Sequence, residues 1–296
     1  MMKLLKLAQR AYNSSSPSLK GHILRSYSSL RWYMGGLSLL LPLLLVVGGI
    51  KGLWWLDSPL EMQNSLSAYY HAGAECSSGD GVYRDLFVGI LAAISFCLVL
   101  YTGFGGIENW LLNFAGVFLA GVAFFPMGWP EAIDLARCQQ QEGFEVFKPS
   151  LFWGFPLSVH FVSAIAFFIM LLLVSFCTAM DTLNETRKIN NQALEQARRE
   201  GQDTSRIERA IENEGRWRIV FTVVRFLMPA SLIVTGIVWW LFLRDDRLVL
   251  WIEWVGIWVF SLYWLLKSFE ILNTQVDLDA IDGRINWDKA STKKFK

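Results

Sequence analysis

A few polar side chains set among long apolar runs carry whatever chemistry this chain can do. The stretch Glu61-Met-Gln-Asn64-Ser65-Leu-Ser67-Ala-Tyr69-Tyr70-His71 lies between two such runs and is followed by Arg84-Asp85. His71 is one of only three histidines; His160 falls within a later apolar run and His22 near the start. Two imidazoles and a carboxylate suffice for a zinc-type metal site with an open position or for general acid–base work. The metal-ligand candidates are therefore His71, Asp85 and His160, and the catalytic candidates Ser67, Asp85 and His160. Glu61, Asn64, Tyr70, Arg84 and Glu253 would complete the wall of a ligand pocket. Each residue also has a plainer reading. Arg84 and Asp85 could be a charge pair at a helix start, His71 a loop histidine, and His160 the donor of one hydrogen bond between helices. A histidine deep in an apolar helix must find a partner, because an unsatisfied polar group in hydrocarbon costs several kcal/mol. Asp85 is the expected partner of His160, directly or through one water.

The elements that must position these groups are membrane spans. Of 296 residues, 53% are hydrophobic and 15% aromatic, a composition of polytopic membrane proteins rather than soluble domains. Six apolar runs, about 34–55, 86–104, 110–127, 151–178, 219–243 and 249–272, approach or exceed the ~20 residues that cross ~30 Å of hydrocarbon as a helix. Helices are required because lipid cannot satisfy a bare backbone. The fold class expected is all-α, a bundle of six transmembrane helices. On this register His160 lies about eight residues into the fourth span, roughly 12 Å below the surface at 1.5 Å per residue. Arg225 lies within the fifth span, at a depth from which arginine can snorkel.

Charge segregation sets the orientation. If the N-terminus is cytoplasmic, the segments 1–31, 181–218 and 267–296 hold 20 of the 27 basic residues, and the opposite side holds six. The positive-inside rule then places both termini in the cytoplasm. Trp54, Trp55, Trp129, Trp153, Trp239, Trp240, Trp251 and Trp254 fall at the outer span ends as an aromatic belt. The domain organisation is thus a basic N-terminal segment 1–30, spans one to four over 31–180, a hairpin over 181–217, spans five and six over 218–272, and a tail 273–296. The most fitting location is a bacterial inner membrane. The acid-poor start, basic through Lys3, Lys6 and Arg10, fits a cytoplasmic amphipathic lead-in or an organellar transit peptide.

The 181–217 segment is charged and helix-favouring, with Ile189, Ala193, Leu194 and Ala197 at helical spacing. Gly201 and Asp203 divide it, and Ser205 with Glu208 forms a capping-box pattern. A helical hairpin follows, either a solvated connector or a docking surface for a protein partner. Membrane lipid is the other partner expected. A net charge of +1 gives no reason to expect nucleic acid. Gly48–Gly52 and Gly89–Ala93 are small-xxx-small pairs that would permit close helix contact. Cys76 and Cys138 both fall in outer loops, where an oxidising compartment would let them pair; two free thiols are the alternative. The acidic tail around Asp277, Asp279 and Asp282 lacks the spacing of a calcium loop, and no Walker, dinucleotide or nucleophile-elbow motif occurs.

The run Ser65-Leu-Ser67-Ala-Tyr69-Tyr70-His71, then Arg84-Asp85-Leu-Phe-Val-Gly89, Tyr101-Thr-Gly103-Phe104, Glu108-Asn109, Asn113-Phe-Ala115-Gly116 and Phe-Phe-Pro126-Met, resembles an uncharacterised family of bacterial six-span membrane proteins. The resemblance covers about 31–176 and implies no particular activity. More distantly, Glu61-x-x-Asn64-x-x-Ser67 resembles the CREST hydrolase superfamily of alkaline ceramidases and progestin/adiponectin receptors. That resemblance implies a zinc-assisted amide or ester hydrolase acting on lipid, with Ser67, Asp85, His71 and His160 as the matching residues. The superfamily's paired His-x-x-x-His is absent, since no histidine follows His160. Three functions are therefore expected in order: an outer polar pocket binding a lipid or small ligand, a CREST-like hydrolase, and a small transporter or proton-coupled carrier.

Reporter fusions after Phe104, within 192–201 and at Lys296 should read cytoplasmic, and fusions near Gly79 and Glu142 external. An external reading at 192–201 would invert the topology.

Overall fold

The computed structural model describes residues 17–51, 62–72, 81–103, 105–128, 151 and 157–274. The lead-in Lys3–Tyr12, Glu61, both outer-loop cysteines and the acidic tail lie outside them. Seven long helices are described: α1 (Pro17–Pro42), α2 (Val82–Leu100), α3 (Gly106–Phe124), α4 (Val159–Cys177), α5 (Asp181–Arg199), α6 (Ser205–Val238) and α7 (Leu248–Thr274). Six helical stretches are long and apolar enough to cross a membrane, and the protein is a multi-pass membrane protein. No strand forms among the described residues, only an isolated bridge between Leu151 and Ser158.

A π turn interrupts the first span and another ends the fifth. Pro42 sits in α1, and the next turn, Leu43–Val47, widens into a π-helix before Gly48–Lys51 resumes the α form. The first span begins near Leu24, a few turns earlier than the hydrophobic run alone indicates. A second π turn, Trp239–Leu243, ends the fifth span at Arg244, whose backbone is left-handed (φ 49°). The Arg244 guanidinium lies 4.8 Å over the Trp240 ring and its Nε donates to the Trp240 carbonyl, so local contacts hold the strained residue.

The spans form a ring in chain order. α1 packs on α2, α2 on α3, α3 on α4, α4 on α6, α6 on α7, and α7 closes onto α1. The α2–α3 contact is close because Gly116 has no side chain: a Cβ there would lie 2.6 Å from Val99 and 2.9 Å from the Ser95 carbonyl. Ser95 Oγ donates to the Gly116 carbonyl at 2.7 Å across this seam. The expected Gly89–Ala93 contact does not form, since a Cβ on Gly89 would meet nothing. The fifth span is the peripheral one, with little of it buried.

The hairpin read from 181–217 forms from α5 and the first half of α6. Gly201 (φ 66°) ends α5, with the Gln202 N–H on the Ala197 carbonyl at 2.9 Å and the Gly201 N–H on that of Arg198. This is a Schellman cap, for which glycine tolerates the left-handed backbone. The expected Ser205–Glu208 box is replaced: Asp203 accepts from the Ser205 N–H at 3.0 Å, and Thr204 Oγ1 donates to Glu208. Buried Glu214 accepts from Arg218 at 2.8 Å, while Arg218 also donates to Asn184 and so ties α6 to α5.

Lys267, counted above among the solvated cytoplasmic bases, is instead fully buried. Its Nζ lies 3.0 Å from Glu270 and 2.5 Å from Thr182 Oγ1, and it also donates to the Ala179 carbonyl. Thr182 Oγ1 lies 3.1 Å from the same Glu270 oxygen, and the Phe221 ring faces the ammonium at 4.8 Å. This cluster joins α7 to the start of α5. A buried charge whose partner is removed typically costs ~3–5 kcal/mol, whereas apolar replacement of both is far milder. Lys267→Met should therefore lower thermal stability in detergent strongly, and Lys267→Met with Glu270→Leu should recover most of the loss. Equal Tm values for the single and double variants would contradict the pairing.

Candidate functional site

The site lies at the end of the ring where α1 and α3 finish and α2, α4 and α7 begin. Between α1 and α2 the chain enters the bundle as non-helical backbone over 62–72, with a 3-10 turn at Ser67–Tyr70. Ser65, Leu66, Ser67, Ala68, Tyr69, His71 and Ala72 are all buried. Backbone polar groups buried outside a helix need named partners, and each of these comes from a different source. The Leu66 N–H donates to Glu253 Oε2 at 2.7 Å. The Asn64 carbonyl accepts from the Leu250 N–H, and Ser65 Oγ accepts from the Ala68 N–H, each at 3.0 Å. Tyr69 fits against Gly49, where a Cβ would stand 3.0 Å from its ring, and Tyr83 donates to the Gly48 carbonyl at 3.0 Å.

His160 enters from the start of α4. It is the second residue of the helix rather than the eighth of a span, because Ser158 caps α4 by accepting from the Phe161 N–H at 3.1 Å. The residues before it, counted as span, include Pro156, which favours a helix start over an interior. The ring is buried and its partners are fixed by the end of α3. The last carbonyls of a helix have no intrahelical donor, and the Val122 carbonyl would need the N–H of residue 126, which is proline. His160 Nδ1 lies 3.1 Å from the Val122 carbonyl and 2.9 Å from that of Phe125. Carbonyls only accept, so Nδ1 carries a proton and donates. His71 Nε2 donates in the same way to the Met127 carbonyl at 3.0 Å. The Phe125-Pro126-Met127 strut thus seats both histidines.

Opposite those carbonyls, His160 Nε2 stands 3.0 Å from Ser67 Oγ, and Ser67 Oγ stands 3.3 Å from Glu253 Oε1. Glu253, Ser67 and His160 therefore form a continuous hydrogen-bonded line across α7, the 62–72 segment and α4. Ser67 and Glu253 also face a cavity of about 50 Å³. Its other walls are almost wholly apolar, including Leu91, Ile94, Leu119, Phe167 and Ile257.

Of the residues singled out above, the structure brings together Ser67, His160 and Glu253, with His71 and Asn64 on the same inserted segment. Asp85 is not among them. Its side chain is 72% exposed and pairs with Arg84 at 3.0 Å, and the place expected for it beside His160 is taken by Ser67 and two carbonyls. The His71–Asp85–His160 zinc set is not assembled: among the described residues no three His, Cys, Asp or Glu side chains come together as a metal site. Both ring nitrogens of His160 already face protein atoms. Tyr70 is half-buried with its ring edge-on to His71 at 5.0 Å. Cys76 and Cys138 lie outside the described residues, while Cys97 and Cys177 are free thiols. The strut carbonyls and the buried Lys267 cluster escaped the sequence reading. Pro126 one turn after Val122 was the available signal for the first. Comparison with protein-family models, characterised proteins and solved structures finds no match to this chain.

His71 supplies a pH dependence. It lies outside the spans, and burial pushes its imidazole below the ordinary value, opposed by its bond to Met127. The folded state therefore binds this proton less readily than the unfolded state does. Stability should be full above ~6.5, fall as pH drops below that value, and level off below the depressed folded value. His71→Gln, which keeps an N–H for the Met127 carbonyl, should remove this part of the acid sensitivity in Tm measured from about pH 7.5 to about pH 5.

Proposed function

We propose that this multi-pass protein binds a small amphiphile in the cavity, its polar end on Ser67 and Glu253 and its apolar part between the helices. The observation that carries the reading is the composition of the wall: Ser67 and Glu253 converge on a space otherwise bounded by apolar side chains and by Ser38, whose hydroxyl donates to the Met34 carbonyl at 2.6 Å. Apolar pockets with a few convergent polar groups are how small ligands are held and oriented. Its volume, about 50 Å³, is about a third of the ~150 Å³ that accepts benzene in an engineered cavity, so it suits a hydroxyl or carboxyl end and its first carbons. A lipid-derived alcohol or acid has that chemistry. The charge bias supports an orientation with the site end outside and the hairpin in the cytoplasm of a bacterial inner membrane.

A second reading is favoured by one contact. Ser67 Oγ can donate to the unprotonated Nε2 of a histidine whose other nitrogen is fixed, which is the arrangement of a serine nucleophile and its base. Hydrolysis of a lipid ester or amide would then proceed by Ser67 attack on the carbonyl carbon as its hydroxyl proton passes to His160; His160 would give that proton to the leaving alcohol or amine as its bond to the carbonyl carbon breaks, and water would then release the acyl group from Ser67. The resemblance to CREST hydrolases supports the reaction class, but the Ser67–His160 contact, with His160 Nδ1 committed to the α3 carbonyls, favours serine–histidine over zinc.

Medium-chain 1-alkanols should raise the Tm of wild-type protein in detergent, because a ligand that binds only the folded state stabilises it. Leu91→Trp, which fills the cavity, should abolish the rise. A rise of equal size in both proteins, or none in wild type, would overturn the ligand reading.

A further inference from the structure

We infer that Glu253, Ser67 and His160 hold one shared, exchangeable proton and act as a proton relay that opens onto the cavity. The inference rests on the same site as the ligand reading but does not require a ligand to be bound.

The argument is a count of donors. His160 Nδ1 faces only carbonyl acceptors at 2.9 and 3.1 Å, so its proton is fixed. The line from His160 Nε2 to Ser67 Oγ to Glu253 Oε1 then has two junctions, at 3.0 and 3.3 Å. Each junction needs one proton, and the serine hydroxyl supplies only one. A charged carboxylate with neutral imidazole leaves two acceptors competing for that hydroxyl. A protonated carboxyl with imidazolium leaves the hydroxyl proton with no acceptor. Both junctions are filled only when the three groups carry exactly one proton more than the first case, with no net charge. Burial of an uncompensated charge is costly, so the same neutral state is favoured electrostatically.

That state has two forms with identical composition. In one, Glu253 Oε1–H donates to Ser67 and Ser67 donates to neutral His160. In the other, imidazolium His160 donates to Ser67 and Ser67 donates to the Glu253 carboxylate. They interconvert when the Glu253 proton moves to Ser67 Oγ as the Ser67 proton moves to His160 Nε2. Only O–H and N–H bonds change, and no other reactant is needed. Glu253 Oε2 keeps its bond from the Leu66 N–H at 2.7 Å in both forms, so the backbone does not have to move.

Among the described residues the relay has one way out. The His160 end is closed by the α3 carbonyls, whereas Ser67 and Glu253 face the cavity, which is large enough for water. The cavity walls from α1, α2 and α3 carry no titratable side chain. The inserted segment contributes His71, held on the Met127 carbonyl, α4 contributes His160 itself, and Arg84 and Asp85 pair with each other at the surface. The site can thus give a proton to, or take one from, a molecule in the cavity.

The test uses full-length, delipidated protein labelled with ¹⁵N-histidine, in which three histidines are assigned by single substitution. Glutamine at 253 can donate to Ser67 but cannot release a proton, so Glu253→Gln should shift the His160 Nε2 resonance to that of a neutral acceptor. In a Ser67→Ala background the same substitution should leave the resonance where Ser67→Ala alone puts it. Ser67→Thr, which keeps the hydroxyl, should preserve the Glu253→Gln effect. A wild-type His160 that stays a neutral acceptor at every temperature and pH tested overturns the relay; so does no shift on Glu253→Gln where wild-type His160 has imidazolium character, or an equal shift in the Ser67→Ala background. Should Ser67→Ala fail to fold, wild type decides alone. Its infrared carboxylic C=O band, assigned by loss in Glu253→Gln, should change in step with the His160 Nε2 resonance on warming or changing pH. Independent change, or absence of the band together with a fixed neutral His160, overturns the proposal. Protein that shows the coupling but gains no stability from alkanols loses the ligand reading and keeps the relay; the reverse pattern does the opposite.

Discussion

The bond from the Leu66 N–H to the Glu253 carboxyl group, 2.7 Å long, fastens a piece of non-helical chain inside a helical bundle. Much else follows from that constraint. Irregular backbone within a membrane bundle is tolerated only where protein satisfies its polar groups, and the 62–72 segment has too few internal bonds to do so itself. It therefore borrows Glu253 and the Leu250 N–H from α7 and the Met127 carbonyl from beyond α3. Those partners have to arrive from separate spans. α7 must stand beside α1, and α3 must end level with the start of α4, which is the closed ring the helices form.

Histidine completes this arrangement for a reason of valence. A proline one turn beyond Val122 leaves a carbonyl without its helical donor, and Phe125 and Met127 follow with carbonyls of their own. An imidazole can donate at one nitrogen while the other remains available to a second partner. His160 uses the first property on α3 and the second on Ser67. A lysine could not accept from Ser67, and an asparagine would not span both contacts with a ring of fixed geometry.

The sequence showed the spans because hydrophobic length is a local property, and it showed the hairpin because its spacing and glycine are local too. It also singled out Ser67, His160 and Glu253, since polar residues in apolar runs must be paired. Their pairing was not legible. Asp85 looked the better partner for His160 because both were placed by distance along a span, and that ruler failed when Ser158 capped α4 just before His160. Lys267 was misplaced for a related reason. Its position near the end of an apolar run suits a solvated base, and only the fold shows Thr182 and Glu270 around it. Glycine pairs were equally ambiguous: Gly89 and Gly116 both sit among small residues, but only Gly116 meets a neighbouring helix.

α7 carries both buried polar clusters, and their difference separates a fixed element from an adaptable one. Glu253 and Glu270 are seventeen residues apart, about 26 Å along a helix, so they occupy opposite ends of the same span. At the Glu270 end the ammonium of Lys267 meets a carboxylate, a hydroxyl, a carbonyl and an aromatic face. Its three donors are taken up by the carboxylate, the hydroxyl and the carbonyl, and the whole group is buried among protein atoms. At the Glu253 end a hydroxyl lies between two groups that can each hold or release a proton, beside open space. In the proposed relay the same backbone contacts persist whichever group holds the proton. A span anchored by an invariant ion pair at one end can therefore present a carboxyl group of changeable protonation at the other without loosening its packing against α1 and α6.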